Sequence, residues 1–427
     1  MFQHRGHLGI ENGHLTIGGV DTVALAEKFG TPLYVTDESR IRANYQCFQR
    51  AFPNADIYYA AKANYNLSIL RILAQEGAGA DVFSDGELFC ALKAGFSPGK
   101  ILFNGNSKTD AELNMAVQEG VRLSVDSLDE LRALSKIAEV HGKEAEIAFR
   151  VNPDISPKTH PKIATGLKTS KFGIPHAEVV SAYKEALALK NVKPVGIHCH
   201  IGSQIVDVAP FADAARKMMT LVEQVNKIGV ELAFVDLGGG LGIPYKPGEK
   251  APSPSELADA ILPIFEERVK SLGIAPKLIL EPGRNIVADS TILLARVNTI
   301  KKAHKNFVGV DAGFNLLVRP AMYDAYHEIV VANKSNQGPG GTFTVVGPIC
   351  ESGDILASDR NLPKVEKGDL IAILDVGAYG FSMSSQYNGR PRCAEVLVCD
   401  GEAEIIRKRE SHDDLLVNQI IPSRLRI

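Results

Sequence analysis

A lysine near the end of an apolar strand pattern is the residue whose position most directly suggests chemistry. Lys62 lies in the segment YYAAKAN, residues 58–64, where small residues flank it. Burial lowers the pKa of a lysine amine, which then keeps its lone pair and can form a Schiff base with a carbonyl. Taken alone, such a lysine is more simply a solvated charge at a strand edge. The other strand ends decide between the two interpretations.

A run of glycines follows a later apolar strand pattern. Gly238, Gly239 and Gly240 come directly after residues 233–237. The spacing does not match the dinucleotide fingerprint G-x-G-x-x-G, but consecutive glycines expose amide N–H groups that approach phosphate closely. The loop after the seventh strand of a (β/α)₈ barrel is a frequent phosphate site. A flexible turn is an equally good interpretation of the glycines alone.

Three more charged or aromatic side chains occur at strand ends. Glu281 can pair with a ring nitrogen, or form a structural salt bridge with Arg284. His200 can lie flat against an aromatic cofactor, or be a satisfied core histidine, and Arg150 ends the strand before it. Together with Lys62 and the glycines, these residues predict a pyridoxal phosphate site, in which the glutamate keeps the pyridine nitrogen protonated.

Eight alternations of strand and helix patterns position these residues. They predict an α/β protein with a (β/α)₈ TIM-type barrel over residues 31–286, whose functional groups collect at one rim. The helical patterns include residues 68–75, 86–94, 127–141 and 177–189. The strand patterns cover residues 57–61, 80–83, 101–103, 122–125, 146–151, 195–200, 233–237 and 278–281.

After Glu281 the pattern changes to short β-branched runs without helices between them. This change predicts an antiparallel β-barrel or sandwich domain over residues 287–427. The N-terminal segment 1–30 contains an Asn12-Gly13 hairpin signal followed by a helix pattern. An isolated hairpin is only marginally stable, so we expect it to join the β domain. The predicted strands of that domain are residues 291–300, 307–310, 328–332, 342–346, 370–374 and 395–398.

Composition excludes several classes of function. The 427 residues carry a net charge of −3, which argues against nucleic acid or an anionic membrane as a partner. No secretory signal or membrane-spanning stretch appears, so we expect a cytoplasmic protein. The six cysteines form no C-x-x-C pair. Strand alternation puts His198 and His200 on one face and Cys199 on the other, so we expect no metal site there.

The sequence resembles the fold type III pyridoxal phosphate decarboxylases over essentially its whole length. The order and spacing of the motifs are together highly specific. The resemblance implies an alanine racemase-like barrel, pyridoxal 5'-phosphate as cofactor, and decarboxylation of an amino acid. The matching segments are residues 59–64, 198–204, 238–242, 281–284, 319–323, 350–354 and 377–379.

The resemblance also assigns roles to individual residues. It implies that Lys62 forms the Schiff base, that His200 stacks on the ring and that Glu281 pairs with the pyridinium. It also implies that Cys350 returns a proton to the carbanion, and that Cys350 and Glu351 reach into the partner's site in a homodimer. Arg150 is expected at the cofactor because of its strand end. The resemblance implies that the remaining cofactor-binding residues are Ser203, Gly238, Gly239, Gly240, Gly283, Arg284 and Tyr379.

The residues around these motifs favour one substrate, meso-2,6-diaminopimelate, with L-lysine and CO₂ as products of the last step of lysine biosynthesis. Arg284 and Arg319 offer bidentate donors for its distal carboxylate, assisted by Tyr323 and Tyr379. Glu351 offers a negative charge for the distal ammonium. Relatives that act on ornithine or arginine tend to carry Cys-Asp at this point and have no distal carboxylate to bind.

Other functions remain as alternatives. A decarboxylase of ornithine, arginine or carboxynorspermidine shares fold and cofactor, but Glu351 and Arg319 argue against it. Racemases of this fold usually place an arginine where Glu281 stands. A non-catalytic homologue typically loses Lys62, Cys350 or the phosphate contacts. The long loop 152–173 is a candidate lid over the substrate.

Overall fold

Two units make up the chain. A computed structural model describes residues 6–155, 165–166 and 170–426. The first unit comprises Met1–Arg40, Tyr245–Pro247 and Ala288–Ile427, and the second comprises Ile41–Pro244 and Gly248–Val287. The candidate lid includes residues 156–164 and 167–169, which lie outside the described residues.

The N-terminal segment of the first unit forms the hairpin that the sequence predicts. The Asn12-Gly13 turn has positive φ at both residues, 51° and 85°, as a two-residue turn between twisted strands requires. The carbonyl of Gly13 accepts a hydrogen bond from the amide of Ser335 in the same unit, at 2.8 Å. The elements are β1 Leu8–Glu11, β2 His14–Ile17, β3 Val20–Asp21, α1 Thr22–Phe29 and β4 Leu33–Asp37. Helix α2 Glu38–Ala51 follows, and its residues from Ile41 onward belong to the second unit.

The second unit is a closed parallel barrel, which confirms the predicted fold class. Its strand order is β9-β11-β12-β13-β5-β6-β7-β8, and β8 pairs back to β9, while β10 is an added strand beside β9. All eight predicted strands are present with ends shifted by at most three residues. The strands are β5 Asp56–Ala60, β6 Gly79–Val82, β7 Ile101–Phe103, β8 Arg122–Val125, β9 Ala145–Asn152, β10 Ile174–Pro175, β11 Val192–Cys199, β12 Phe234–Asp236 and β13 Lys277–Leu280.

Helices follow the barrel strands, and several begin at a side-chain cap. Ser84 and Ser127 each accept a hydrogen bond from the third helical amide, which satisfies one of the free donors at a helix start. No helix of the described residues is long and apolar enough to cross a membrane. The helices are α3 Leu67–Gln75, α4 Asp85–Ala94, α5 Asp110–Glu119, α6 Leu128–Val140, α7 Val179–Ala188, α8 Ala209–Lys227, α9 Pro254–Leu272 and α10 Arg284–Val287.

Aromatic side chains fill the barrel interior against glycines on neighbouring strands. Tyr58 and Phe234 belong to one buried cluster with residues of other strands. A Cβ at Gly79 would lie 2.3 Å from the Tyr58 ring, and a Cβ at Gly196 would lie 2.2 Å from the Phe234 ring. Glycine at these two positions therefore makes the space that large side chains need in a packed barrel core.

The C-terminal part of the first unit is a mixed sheet in the order β18-β17-β15-β14-β4-β20-β21, with β19 between β14 and β16. Most pairings are antiparallel, as predicted, and two are parallel, β15 with β17 and β20 with β4. Strand β4 lies in this sheet although the predicted barrel begins at residue 31, because it pairs with β14 and β20. The elements are β14 Thr291–Lys302, β15 Asn306–Val310, α11 Arg319–Tyr323, β16 Ile329–Val331, β17 Gly341–Val346, β18 Ile355–Leu362, β19 Leu370–Ile373, β20 Ala394–Cys399 and β21 Glu402–Arg407.

Candidate active site

Lys62 lies in a single 3₁₀ turn, Ala61–Ala63, directly after β5. Its Nζ forms an ion pair with the Asp81 carboxylate at the end of β6, and it lies 5.4 Å from the centre of the Phe83 ring. The Lys62 side chain is 30 % exposed, whereas that of Asp81 is fully buried. The amine therefore stands at the barrel rim with a buried acceptor for its proton.

An asparagine joins the acceptor of Lys62 to the glutamate of the last strand. Asn104 Nδ2 donates to Asp81 Oδ1 at 2.6 Å and to Glu281 Oε1 at 2.5 Å. All three side chains are buried. Burial, and then the charge of Glu281, raises the pKa of Asp81, so this carboxyl group holds a proton more readily than usual.

Glu281 is held ionised by its other neighbours. Its Oε2 lies 3.3 Å from His198 Nε2, and His198 Nδ1 lies 2.8 Å from the Ser124 hydroxyl. Burial acts to raise the pKa of Glu281, but His198 and then Lys62 outweigh it, and the pKa falls well below its usual range. The structure thus pairs Glu281 with His198, and a charged carboxylate here suits a protonated ring nitrogen.

His198, Asp236 and Glu281 also have the composition of a metal site. Each offers one ligand atom, and these atoms lie within 4.8 Å of one another. Asp236 Oδ1 accepts a hydrogen bond from the Gly238 amide at 2.7 Å, whereas His198 Nε2 and Asp236 Oδ2 are buried without a hydrogen-bond partner among the described residues. The three side chains form one buried polar group around Glu281, and the absence of a metal site here stays a prediction.

His200 stands at the rim as a neutral ring. Its Nδ1 accepts a hydrogen bond from the Gly239 amide at 3.2 Å, which requires that nitrogen to be unprotonated. Burial, and then the charges of Arg150 and Lys62, lowers the pKa of His200 well below its usual range. The guanidinium of Arg150 is itself buried, 4.4 Å from the centre of the Phe172 ring.

The glycine run is tightly enclosed by backbone. A Cβ at Gly238, Gly239 or Gly240 would lie 2.4, 1.9 or 2.3 Å from a backbone oxygen, and φ is +71° at Gly238 and +117° at Gly240. Only glycine therefore fits at these positions. The amides of Gly238 and Gly239 donate to Asp236 and His200, so two of the predicted phosphate donors have protein acceptors here.

The remaining cofactor residues of the barrel lie beside this run. Arg284 Nη2 donates to the Ser203 hydroxyl at 3.0 Å, and Arg284 is the first residue of α10. A Cβ at Gly283 would lie 3.0 Å from the Ala60 Cβ, so glycine lets this loop pack against the end of β5. Ser203, Gly283 and Arg284 thus border the same rim as Lys62.

The predicted residues of the C-terminal region belong to the first unit. Arg319 and Tyr323 lie one turn apart on α11. Arg319 is buried, its Nη1 lies 2.8 Å from His327 Nε2, and its guanidinium stacks 4.6 Å above the Tyr245 ring. His327 Nδ1 lies 2.8 Å from the Leu374 carbonyl, which fixes the tautomer that accepts from Arg319.

The other three predicted residues of this unit differ in exposure. Tyr379 is partly buried and has φ of +57°, in the left-handed region. Cys350 and Glu351 are exposed, and both contact Tyr387. Their roles toward cofactor and substrate stay predictions.

Sequence reasoning missed several members of the barrel network. The sequence predicts no role for Asp81, Asn104, Ser124 or Asp236, and for His198 it gives only a rejected metal role and membership of the matching segment 198–204. Each of them lies in the C-terminal half of a barrel strand or just after it. The rule that pointed to Lys62 and Glu281, a polar residue at a barrel strand end, also points to these residues.

The rim of this barrel fits pyridoxal 5'-phosphate. A lysine amine, an ionised glutamate, a neutral imidazole and a backbone cradle that only glycine permits are the donor set this cofactor needs. Asn104 Oδ1 is in addition buried without a hydrogen-bond partner among the described residues. The fold and the site therefore define a pyridoxal phosphate enzyme of the barrel type.

Comparison with known proteins gives the family. Residues 38–288 match the family described as "Pyridoxal-dependent decarboxylase, pyridoxal binding domain". The chain belongs to this family of pyridoxal-dependent decarboxylases.

Several relatives that match nearly the whole chain are named diaminopimelate decarboxylase. A diaminopimelate decarboxylase of Archaeoglobus fulgidus is 59 % identical over 97 % of this chain and 99 % of its own. One from Methanothermobacter thermautotrophicus is 48 % identical over 97 % of each chain. The crystal structure of diaminopimelate decarboxylase from M. jannaschii in complex with L-lysine is 43 % identical, with a TM-score of 0.93, and the match covers 98 % of this chain and 99 % of that one.

Proposed function

We propose that this chain decarboxylates meso-2,6-diaminopimelate to L-lysine and CO₂, the last step of lysine biosynthesis. The observation that carries the proposal is the barrel-rim network in which Lys62 and an ionised Glu281 are linked through Asp81 and Asn104. Relatives at 43–59 % identity over nearly the full chain, all named diaminopimelate decarboxylase, support the choice of substrate.

When bound, pyridoxal phosphate supplies an electron sink for the electron pair that remains after CO₂ leaves. Lys62 Nζ would be the amine that holds the cofactor. Asp81, with its raised pKa, is the acceptor that takes a proton from the Lys62 ammonium so that its lone pair becomes available. Asn104 keeps Asp81 and Glu281 at fixed positions.

The other barrel residues bind and orient the cofactor. The Glu281 carboxylate would pair with the protonated pyridine nitrogen, and the neutral His200 ring would stack on the cofactor ring. Arg150 lies beside His200 and contributes positive charge at the rim. We propose that the phosphate is bound by Ser203, Gly240, Gly283, Arg284 and Tyr379. Gly238 and Gly239 belong to the same phosphate loop, where their amides donate to Asp236 and His200 and their missing side chains leave room for the phosphate.

The substrate residues follow from the two ends of meso-diaminopimelate. Arg319, assisted by Tyr323, binds the distal carboxylate, because a buried guanidinium presents paired donors in a fixed plane. We assign Arg284 and Tyr379 to the same end of the substrate, and Glu351 to the distal ammonium.

Cys350 is the proposed acid that protonates the reacting carbon. We further propose a homodimer in which Cys350 and Glu351 complete the partner's site, because both side chains are exposed in one chain. A site built from two subunits explains why reactive groups stand on an outer surface. Free cysteines, including the buried Cys199 and Cys393, suit a cytoplasmic location. No nucleic acid or membrane is proposed as a partner.

The deciding experiment measures CO₂ release by the cofactor-loaded protein from meso-diaminopimelate, ornithine and arginine in separate assays, with the amine product identified. We expect release from meso-diaminopimelate alone, with L-lysine as product. Release from ornithine or arginine instead would keep the fold and cofactor but overturn the roles given to Arg319 and Glu351. Release from none of the three would overturn the proposed function.

A further inference from the structure

Four exposed residues of the first unit form one hydrogen-bonded group, which we call the thiol cluster: Cys350, Glu351, Tyr387 and Asn388. Asn388 holds Cys350 at two points, since its Oδ1 accepts from the Cys350 amide at 3.0 Å and its Nδ2 donates to Sγ at 3.1 Å. The Tyr387 hydroxyl lies 2.7 Å from Glu351 Oε1 and 3.8 Å from Cys350 Sγ. Nothing in the sequence motifs assigns a role to Tyr387 or Asn388.

The backbone around the cluster is fixed by a buried carboxylate. Asp354 accepts hydrogen bonds from the amides of Ile349 and Phe314, both at 2.7 Å, directly before Cys350 and beside the cluster. Asn388 has φ of +58°, a conformation that costs energy in most residues but is tolerated by asparagine. The left-handed backbone at Asn388 is thus accompanied by a side-chain amide that faces the thiol.

The hydrogen bonds have a defined direction. The Tyr387 ring is stacked on Phe314, with centroids 5.8 Å apart. The neighbouring Glu351 and Cys350 raise the pKa of Tyr387 to about 12, so its hydroxyl stays protonated and donates to the carboxylate. A lone pair of that oxygen then remains for the thiol proton, and Asn388 N–H faces the sulfur.

We propose that Tyr387 and Asn388 are positioning residues that hold the Cys350 thiol and the Glu351 carboxylate in one geometry. The inference rests on the proposed function, in which these two groups serve as acid and ammonium ligand. In the protonation step the S–H bond of Cys350 breaks, and the electron pair left on the substrate carbon forms the new C–H bond. The negative charge remains on sulfur, where the Asn388 N–H stabilises it until water returns a proton.

Asn388 is tested by the reactivity of the thiol, without substrate. In Asn388→Asp an oxygen still accepts from the Cys350 amide, but a carboxylate replaces the N–H that faces Sγ. We measure iodoacetamide labelling of the Cys350 peptide against pH in the cofactor-loaded protein. The labelling midpoint should rise by about one pH unit, because a donor to the thiolate is lost and a negative charge is added.

Matched variants make that result specific. Asn12→Asp makes the same change at another asparagine with positive φ, +51°, in the N-terminal hairpin, and should leave the midpoint unchanged. Asn388→Gly suits the left-handed backbone and removes the amide, so it should also raise the midpoint if the Asp variant fails to fold. The other charged groups near the loop, Asp354 and Arg390, are the same in all variants. A wild-type midpoint in both Asn388 variants overturns the role of Asn388.

Tyr387 is tested by separating binding from turnover. Tyr387→Phe keeps the stacked ring but removes the donor to Glu351, so KM for meso-diaminopimelate should rise about tenfold, more than kcat falls. Tyr45→Phe in α2 is the control and should change neither constant. An unchanged KM in Tyr387→Phe overturns its role. If the wild-type protein does not act on meso-diaminopimelate, the proposed function fails, while the labelling experiment still decides whether Asn388 controls the thiol.

Discussion

The network around Lys62 in the barrel and the thiol cluster around Cys350 are built in opposite ways. The barrel network is buried, so Asn104 must supply donors to two carboxylates at once. The thiol cluster is exposed in the single chain, so the loss of a partner there should cost less folding free energy than in the barrel. Both are held by an asparagine side chain. The buried Asn104 therefore stabilises the fold, whereas the exposed Asn388 orients a reactive group.

The causes of the pKa shifts also differ between the barrel network and the thiol cluster. In the barrel, burial and neighbouring charges move the pKa values of Asp81, His200 and Glu281 in different directions, which sets one carboxyl group to hold a proton and another to stay charged. In the thiol cluster, the pKa of Tyr387 is raised by two direct hydrogen-bond neighbours rather than by burial. Burial and nearby charges therefore set the protonation states in the barrel, whereas direct hydrogen bonds set that of Tyr387 in the thiol cluster.

Of the changes considered, removal of Lys62 should reduce the rate of decarboxylation most, because it disables the barrel network. Lys62→Ala deletes the amine that holds the cofactor, so we expect decarboxylation to fall about 1,000-fold or more. Borohydride reduction followed by peptide mapping should attach the cofactor to residue 62 in the wild type and to no lysine in the variant. Lys93→Ala, at an exposed position of α4, is the control. A cofactor bound covalently to another lysine would contradict the assignment.

Removal of Asn104 should lower the free energy of unfolding more than removal of Asn388. Asn104→Ala leaves Asp81 Oδ1 and Glu281 Oε1 buried without their donor, so the free energy of unfolding should fall by about 2–4 kcal/mol. Asn388→Gly should cost less than about 1 kcal/mol, because its partners are exposed and glycine suits the backbone. Urea unfolding at one protein concentration measures both. Equal losses would mean that burial does not separate the two regions.

The barrel and its rim were largely predictable because their signals are local. A polar residue at the end of an apolar strand is visible in a single segment, and Lys62, His200 and Glu281 were found in this way. Asn104 was missed because its role depends on two acceptors from different strands, which spacing in the sequence does not reveal. Strand β4 was missed as part of the β unit because its partners β14 and β20 lie more than 250 residues away.

The thiol cluster shows the same limit more sharply. Cys350 was recognised by its motif, but the residues that orient it lie 37 and 38 positions later in the chain. Tyr387 and Asn388 carry no pattern of strand or helix periodicity that would mark them. Only the folded loops bring the four side chains together, so their joint role could not be predicted from residue types and spacing.

Glu87 should make a small contribution to the pH dependence of the folding stability of the barrel. Glu87, in the first turn of α4, accepts a hydrogen bond from the Phe83 amide at 2.8 Å. Burial is the main cause that raises its pKa from 4.5 to about 7. The folded state therefore binds the proton more tightly than the unfolded chain, and this contribution to stability is lost as pH rises from about 4.5 to 7.

Glu87→Gln should remove this pH-dependent loss of stability, because the glutamine amide is neutral at every pH in this range. The variant should match the wild type at pH 4.5 and exceed it by about 1–3 kcal/mol at pH 8, measured by urea unfolding of the cofactor-loaded protein. The upper figure requires complete burial, and Glu87 is partly exposed, so the lower part of the range is expected. Glu139→Gln, on the exposed face of α6, should show no such divergence. If the Glu87 variant and the wild type keep a constant difference across this range, then burial at the barrel rim does not set the protonation of its carboxyl groups, and the electrostatic contrast with the thiol cluster fails.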